Sequence, residues 1–321
     1  MVISFGIIFI LIFTSNVIAT SNEQVISGYH YDPGCPVYAR HASIDSDELD
    51  VVAAFTTQRE IGGLIIYNVQ LARSIDGGQN WGGNTWICPS TQNQWYPDIQ
   101  MVDIPGYGKI VFIVWQESDD PYNSASQIYT MAVYFTNFNG QWHGVRALTG
   151  SDIFTYPRIA GSITGRANDG NGDYDLVRMH YIWEAHVGLG GQNHWEIQMA
   201  SMYWENEGDT ETINWGGYYC IASGEGADLR HPSIDADVPD SDLWLTSGNI
   251  EKVVLTYDCR WRDQGTTDVR FKHFAFYGQT TDPTGTIAGV GSLIFQEQDS
   301  FYFPDITIWG WSEDMSGEVW C

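Results

Sequence analysis

The sequence repeats one short element along its length, and this repeat restricts the possible folds more than any other feature. The element is an aromatic residue or histidine, a proline or alanine, one variable residue and an isoleucine. It ends at Ile44, Ile99, Ile159, Ile234 and Ile306, with spacings of 55, 60, 75 and 72 residues. Such self-similarity is a signature of folds built from repeated structural units.

Strand-like segments follow each of the first four elements. A strongly apolar second segment (for example KIVFIVWQE), a third in register (QIYTMAVYFT) and a weaker fourth (QWHGVRAL) recur, separated by turn residues. Four short strands per repeat, without a helical period, predict an all-β fold: a β-propeller of four-stranded blades with four complete repeats and a partial fifth. A β-sandwich would also contain many strands, but it would not begin every repeat with the same element.

The fifth repeat, YFPDITIWGWSEDMSGEVWC, supplies a first strand and the start of a second before the sequence stops at Cys321. An unpaired sheet edge is a liability in water. We therefore expect either that the natural protein continues beyond this point or that residues 20–40 supply the missing strands. Of the two, the sequence favours a truncated propeller.

The N-terminus has the pattern of an export signal. The apolar run of residues 2–13 is followed by TSNVIAT, which predicts a signal peptide over residues 1–19, cleaved after Ala19, and a propeller domain over residues 20–321. No lysine or arginine precedes Arg40, so an uncleaved N-terminal anchor remains an alternative. No later segment has the ~20 apolar residues of a membrane span. We expect the protein to be secreted or held at the cell surface.

The chain is strongly acidic, with 40 Asp and Glu residues against 14 Lys and Arg residues and a formal net charge of −26. A field of this sign repels nucleic acids and anionic lipid surfaces, which leaves a carbohydrate or a cell-surface protein as the expected partner. The five widely spaced cysteines lack the close pairs of a metal site. In an oxidising compartment they predict one or two disulfides of open connectivity.

The segment RSIDGGQNWG predicts a tight turn between two antiparallel strands. Gly77 and Gly78 can take the positive φ that such a turn needs, and Asp76 can accept backbone hydrogen bonds. Ser74, Asp76, Gly78 and Trp81 match the S-x-D-x-G-x-x-W pattern of the Asp box. The chain therefore resembles the Asp-box, or BNR-repeat, β-propellers of the sialidase superfamily. The resemblance implies that this turn lies at the blade periphery, between the third and fourth strands, and serves the fold.

In a propeller, the first residues of each innermost strand and the last residues of each second strand meet at one mouth of the central channel. Aromatic and charged side chains at these positions suit sugar stacking and hydrogen bonding. The expected ligand-binding residues are Arg40, Trp95, Tyr96, Tyr156, Arg158, Arg230, His231, Arg260 and Trp261.

The resemblance also implies a test for sialidase activity. Sialidases hold the substrate carboxylate with three arginines, for which Arg40, Arg158 and Arg230 are the candidates here. However, the R-I-P motif of that family is missing, since the chain has Y-P-R-I instead. General glycoside hydrolysis needs two facing carboxyl groups. Glu117, Glu184 and Asp258, interpreted as equivalent positions of successive blades, are the weak candidates for that role.

The segment NDGNGDYD carries a calcium-type pattern. Asp169, Asn171, Asp173 and Asp175 alternate as oxygen ligands do in a glycine-rich calcium loop, although the closing glutamate of an EF-hand is replaced by His180. The sequence predicts a structural Ca²⁺ here, with a polar hairpin as the alternative.

Together these features predict a non-catalytic module that binds a glycan or a surface partner. A secreted glycoside hydrolase of the exo-sialidase type is the first alternative, and a structural module of a larger surface protein is the second.

Overall fold

A computed structural model describes residues 40–104, 106–121, 124–150, 152–168, 173–189, 192–207, 210–224, 226–237, 250–262, 266–277, 292–298, 306–309 and 318–320. Every regular element in these segments is a β-strand, as predicted. The described residues contain no helix that is long and apolar enough to cross a membrane.

The strands form four antiparallel sheets of four and one sheet of two, in chain order. This is the predicted β-propeller, with four complete blades and a partial fifth. Blade 1 contains β1 (Arg40–Asp47), β2 (Asp50–Ile61), β3 (Leu64–Ser74) and β4 (Gly82–Trp86). Blade 2 contains β5 (Gln94–Ile104), β6 (Gly108–Glu117), β7 (Gln127–Tyr134) and β8 (Asn137–Ala147).

The later blades follow the same plan. Blade 3 contains β9 (Ile153–Asn168), β10 (Asp173–Leu189), β11 (Gln192–Glu207) and β12 (Thr210–Ala222). Blade 4 contains β13 (Ala227–Asp237), β14 (Ile250–Trp261), β15 (Thr266–Tyr277) and β16 (Ser292–Gln298). The partial fifth blade contains β17 (Thr307–Trp309) and β18 (Glu318–Trp320).

The core lies between the faces of neighbouring blades. Strand β6 is buried almost throughout because a blade packs on each of its faces, whereas the outer strand β8 is mostly exposed. Trp115 packs between blades 1 and 2, and Trp183 between blades 2 and 3. Both indoles are fully buried.

The recurring isoleucine joins each blade to the one before it. Ile99, Ile159 and Ile234 are buried in successive inter-blade clusters, and Ile306 packs against blade 4. Ile44 begins the first blade and is 63% exposed, so no preceding blade covers it within the described part of the chain. Full burial of such a side chain is worth about 1.5–3 kcal/mol, which explains why this position recurs in the sequence.

The turn between β3 and β4 has the predicted conformation. Gly77 and Gly78 have φ of 70° and 84°, and Ser74 Oγ accepts the Gly78 N–H at 2.9 Å. Asp76 Oδ1 accepts the Ser74 hydroxyl at 2.6 Å. These bonds lower the pKa of Asp76 to about 2, the Ser74 bond being the largest cause. The Trp81 indole packs against the buried residues of blade 1 and donates to Gly78 O at 3.0 Å.

Cys88, Cys220 and Cys259 are free thiols. None of the predicted disulfides, whose connectivity the sequence left open, therefore joins two of these three cysteines. Cys35 and Cys321 lie outside the described residues.

Candidate functional site

Four aromatic residues at the start of the innermost strands share an uncommon backbone conformation. His41, Tyr96, Tyr156 and His231 have φ of 50°, 49°, 51° and 51°. Each lies at a β-bulge, where the pairing with the second strand of its blade changes register. Left-handed φ costs a bulky residue of order 1–3 kcal/mol and persists where the surrounding structure enforces it. The repeated bulge directs the side chains of all four blades towards the same mouth of the channel.

The four rings form a continuous row. The His41 and Tyr96 ring centroids are 4.1 Å apart, Tyr96 stacks on Tyr156 at 4.2 Å, and Tyr156 meets the edge of His231 at 5.3 Å. Trp95 lies beside this row, but it is buried and its Nε1 donates to Ser118 O at 3.0 Å. Tyr96 is buried between the rings of His41 and Tyr156, so the aromatic surface at the channel mouth comes from the half-buried His41, Tyr156 and His231.

A cavity of about 470 Å³ lies along the innermost strands, directly after these aromatic positions. It is lined by Ala42, Ser43, Ile44, Asp45, Asp98, Ile99, Gln100, Arg158, Ile159, Ser233 and Ile234. Asp98 joins three blades, because its Oδ1 accepts the Ser43 hydroxyl at 2.6 Å and its Oδ2 accepts the Ile159 N–H at 3.0 Å. The Arg158 guanidinium is 3.9 Å from the same carboxylate and 42% exposed.

The cavity lining contains two carboxyl groups, Asp45 and Asp98, and one guanidinium group, Arg158. Burial raises the pKa of Asp98, although Arg158 opposes this. Burial also raises the pKa of Asp45, with the nearby charges of Asp98 and Asp235 adding to the effect. Asp45 Oδ2 accepts the Met101 N–H at 2.6 Å, so this carboxylate also joins two blades. A half-buried pair of carboxyl groups of this kind favours neutral or cationic ligands over anions.

Glu184 and Arg230 form an ion pair at the junction of blades 3 and 4. Arg230 Nε donates to Glu184 Oε2 at 2.6 Å, and the His231 backbone N–H donates to Glu184 Oε1 at 2.6 Å. Burial raises the pKa of Glu184, with Arg230 acting in the opposite direction. The Arg230 guanidinium also lies 4.1 Å above the Trp195 ring. The carboxylate therefore holds the left-handed turn at His231 in place.

Asp258 binds the His231 ring, with Oδ2 2.8 Å from Nδ1. A carboxylate in this position fixes the neutral imidazole in the tautomer with the proton on Nδ1. The structure thus brings Glu184, Arg230, His231 and Asp258 together at one side of the channel mouth.

Glu117 is not equivalent to Glu184 and Asp258, so that interpretation is wrong. Ile99 pairs with Ile113 and Ile159 with Tyr181, which makes Gln116 the counterpart of Glu184. Successive side chains of a strand point to opposite faces, so a shift of one residue places Glu117 on the other face. Its Oε1 accepts the Gln94 Nε2–H at 2.9 Å.

The remaining predicted residues lie at the edge of the site or outside the described set. Arg260 is exposed at the end of β14, and the half-buried Trp261 donates from Nε1 to Asp268 Oδ2 at 2.8 Å. The side chain of Arg40 is outside the described residues.

Most of the predicted calcium loop also lies outside the described residues. Asp169 and Asn171 lie in the undescribed segment, and of Asp173 and Asp175 only the strand backbone is described. Among the residues that are described, no group of three His, Cys, Asp or Glu side chains is placed to hold a metal ion.

Four polar residues of the cavity lining were not predicted from the sequence, namely Ser43, Asp45, Gln100 and Ser233. All four lie within two residues of the recurring isoleucine. Since Asp45 and Asp235 occupy the same repeat position, alignment of the five elements contained the signal that would have identified them.

A second polar cluster is buried between blades 3 and 4. Glu251 Oε2 accepts from Arg178 Nη1 at 3.0 Å and lies 2.9 Å from His180 Nε2, while Oε1 accepts the Ser162 hydroxyl at 2.8 Å. His180 Nδ1 is 2.8 Å from Ser201 Oγ. This serine–histidine–glutamate order has the connectivity of a hydrolase triad, but all three side chains are fully buried. The cluster therefore joins two blades and does not reach a substrate.

No protein-family model matches the chain, and no curated protein matches it. Among solved structures, the catalytic domain of a Coprinopsis cinerea GH62 α-L-arabinofuranosidase is 11% identical, with a TM-score of 0.37, 81% of this chain covered and 74% of that one. A Penicillium chrysogenum α-L-arabinanase is 12% identical, with a TM-score of 0.38 and coverages of 82% and 64%. A Cellvibrio cellulosa α-L-arabinanase is 10% identical, with a TM-score of 0.37 and coverages of 80% and 82%. At these TM-scores the comparisons add nothing to what the sheet topology shows.

Proposed function

We propose that this propeller binds a neutral glycan at the mouth of its central channel and does not hydrolyse it. The observation that carries the proposal is the cavity of about 470 Å³, to which the innermost strands of the four complete blades contribute side chains. Its hydroxyl, amide, carboxylate and guanidinium groups are the donors and acceptors that sugar hydroxyls require, and the half-buried rings of Tyr156 and His231 beside it offer aromatic surface.

The charge distribution favours a neutral sugar over sialic acid. A three-arginine clamp would need Arg230, but this guanidinium already binds Glu184 and covers Trp195. Arg158 faces the Asp98 carboxylate, which offsets its positive charge. A sugar carboxylate would meet net negative charge in the cavity, whereas sugar hydroxyls can use both the acidic groups and the arginine.

The hydrogen bonds of the candidate carboxylates support binding without catalysis. Glu184 accepts bonds from Arg230 and from the His231 backbone, and Asp258 holds the His231 ring. Glycoside hydrolysis requires one carboxyl group that gives a proton and a second that acts on the sugar or on water. In this structure the two groups position the aromatic residue at the channel mouth.

We also propose that the chain is an exported member of the Asp-box sialidase superfamily. We further propose that it binds a structural calcium ion in the loop of residues 168–175. The hydrogen-bonded turn from Ser74 to Trp81 supports the superfamily assignment, because it joins the third and fourth strands of its blade. The apolar N-terminal run supports export, and the alternating Asp and Asn residues support calcium.

A glycan array tests the binding proposal. The wild-type chain is expected to retain neutral oligosaccharides and not sialylated ones. Arg158→Ala should weaken retention about tenfold, since a hydrogen bond from a charged donor is worth about 1.5–3 kcal/mol. Arg146→Ala is the matched control, because Arg146 lies on the outer strand of blade 2, over the Trp215 ring of blade 3 and away from the cavity. Retention of sialosides that depends on Arg158, or no glycan binding at all, would contradict the proposal.

A glycoside hydrolase is the second candidate, and the raised pKa of Glu184 is the observation that favours it. A panel of fluorogenic glycosides, sialoside included, decides between the two. Turnover that Glu184→Gln abolishes, in a variant that retains its melting temperature, would establish hydrolysis. Absence of turnover by a protein that binds glycans would leave the binding function in place.

A further inference from the structure

The cavity along the innermost strands has one apolar side. Ile44 lines it and is 63% exposed, whereas the equivalent Ile99, Ile159 and Ile234, which also line it, are at most 8% exposed. Among the described residues, Ile44 is the only exposed large hydrophobic side chain that belongs to the cavity wall. The recurring isoleucine, which joins blades elsewhere, is therefore available to a ligand in blade 1.

Strand β1 presents its polar and its apolar side chains to different sides. Ser43 and Asp45 bond to blade 2, because the Ser43 hydroxyl donates to Asp98 at 2.6 Å and Asp45 Oδ2 accepts a backbone N–H of that blade at 2.6 Å. Ala42 and Ile44 alternate with these two residues along the strand, and both are exposed. On this side, β1 contributes apolar groups to the cavity wall.

The other innermost strands supply hydrogen-bonding groups. The Arg158 guanidinium of blade 3 is 42% exposed and lies 3.9 Å from the Asp98 carboxylate. Gln100 of blade 2 and Ser233 of blade 4 also line the cavity. Such groups suit sugar hydroxyls, but a hydroxyl placed against the apolar side would lose its hydrogen bonds to water without replacing them. The lining therefore suits a sugar with hydroxyl groups on its ring and an apolar group at one end.

We propose that the cavity selects a 6-deoxyhexose, whose methyl group packs on Ile44 while its ring hydroxyls bond to the polar lining. This inference rests on the proposed glycan-binding function and names the class of sugar. A 6-deoxyhexose has a methyl group in place of the terminal hydroxymethyl group of a hexose. Contact between this methyl group and Ile44 removes apolar area of both from water. The hydroxyl of the parent hexose would meet the same side chain without a hydrogen-bond partner there.

Isothermal titration calorimetry of the full chain with free monosaccharides tests the proposal. L-fucose and L-galactose, and likewise L-rhamnose and L-mannose, differ only in this methyl or hydroxymethyl group. The test variant is Ile44→Thr, which keeps a β-branched side chain in the strand but makes it polar, and Ile44→Val keeps it apolar. The matched control is Ile75→Thr, because Ile75 is 69% exposed in the turn between β3 and β4 and does not line the cavity.

The wild type is expected to bind the deoxy sugar of at least one pair about fivefold more tightly than the parent hexose. Ile44→Thr should reduce this ratio to below about twofold, whereas Ile44→Val and Ile75→Thr should retain it. Equal affinities within both pairs, or a ratio that Ile44→Thr leaves unchanged, would overturn the proposal and leave glycan binding in place. Binding of none of the four sugars would also overturn it, and only the absence of all glycan binding on the array would remove the proposed function as well.

Discussion

Replacement of Glu251 by glutamine removes the negative charge from the buried cluster between blades 3 and 4. The carboxylate faces the Arg178 guanidinium at 3.0 Å, and both side chains are completely buried. Burial alone would raise the pKa of Glu251, but the charges and hydrogen bonds of His180 and Arg178 lower it below its ordinary value. The carboxyl group is therefore ionised at neutral pH and balances a buried cation.

The expected cost of Glu251→Gln is large because the arginine stays behind. Removing one partner of a buried ion pair costs about 3–5 kcal/mol, which is a large part of the 5–15 kcal/mol by which a domain is typically stable. With a urea m-value of about 2–3 kcal/mol/M, the unfolding midpoint should fall by about 1–2 M. Tryptophan fluorescence measures it, because Trp183 and Trp204 are buried in the adjoining blade.

Two further variants separate the effect of charge from loss of packing. Glu60→Gln removes a carboxylate from an exposed position and should change the free energy of unfolding by less than about 0.5 kcal/mol. Arg178→Met/Glu251→Gln removes both charges and should be more stable than Glu251→Gln alone. A loss below about 1 kcal/mol in Glu251→Gln, or a double variant less stable than the single one, would refute the reasoning.

Three other predictions concern pH and calcium. Burial lowers the pKa of His180, so the unfolded chain binds more protons than the folded chain below pH about 6.5. The free energy of unfolding, measured by chemical denaturation, should therefore fall by up to about 1.4 kcal/mol per pH unit on acidification. In His180→Gln this pH dependence should be smaller by the same amount, and an equal pH dependence in both proteins would contradict the prediction. Asp76 has a pKa of about 2 and should remain ionised at pH ~3 in a carboxyl NMR titration; Ser74→Ala should raise this pKa, and an unchanged titration would mean that the Ser74 bond is not its main cause. Calcium should raise the melting temperature of the wild type but not of Asp173→Asn/Asp175→Asn; an equal rise in both would place any ion elsewhere.

The blade plan could be predicted from the sequence because each blade buries both faces. The second and third strands are then continuous apolar runs, and the recurring isoleucine marks where each blade starts. The fourth strands were predicted less well. Strand β8, for example, begins at Asn137, before the predicted segment QWHGVRAL that starts at Gln141, because an outer strand that faces water has little apolar pattern.

The place of the aromatic side chains in the repeat could be predicted from the sequence, but the hydrogen bonds and backbone conformation around them could not. The channel-mouth aromatics were predicted from their place in the repeat, and the structure aligns three of them, Tyr96, Tyr156 and His231, in one row with His41. Their left-handed φ contradicts the local preference of His and Tyr, so it could come only from the tertiary structure. The partners of Glu184 and Asp258 also depend on contacts between residues distant in sequence, and a one-residue difference in strand register removed Glu117 from this group.

Hydrogen–deuterium exchange with and without the neutral oligosaccharide that ranks first on the array tests the central claim most directly. The account predicts slower amide exchange in residues 41–45, 96–100, 156–160 and 231–235, the four innermost segments around the cavity, and unchanged exchange in β4 and β8. Protection confined to the outer strands, or no protection at a saturating glycan concentration, would contradict the claim that this channel is the glycan-binding site.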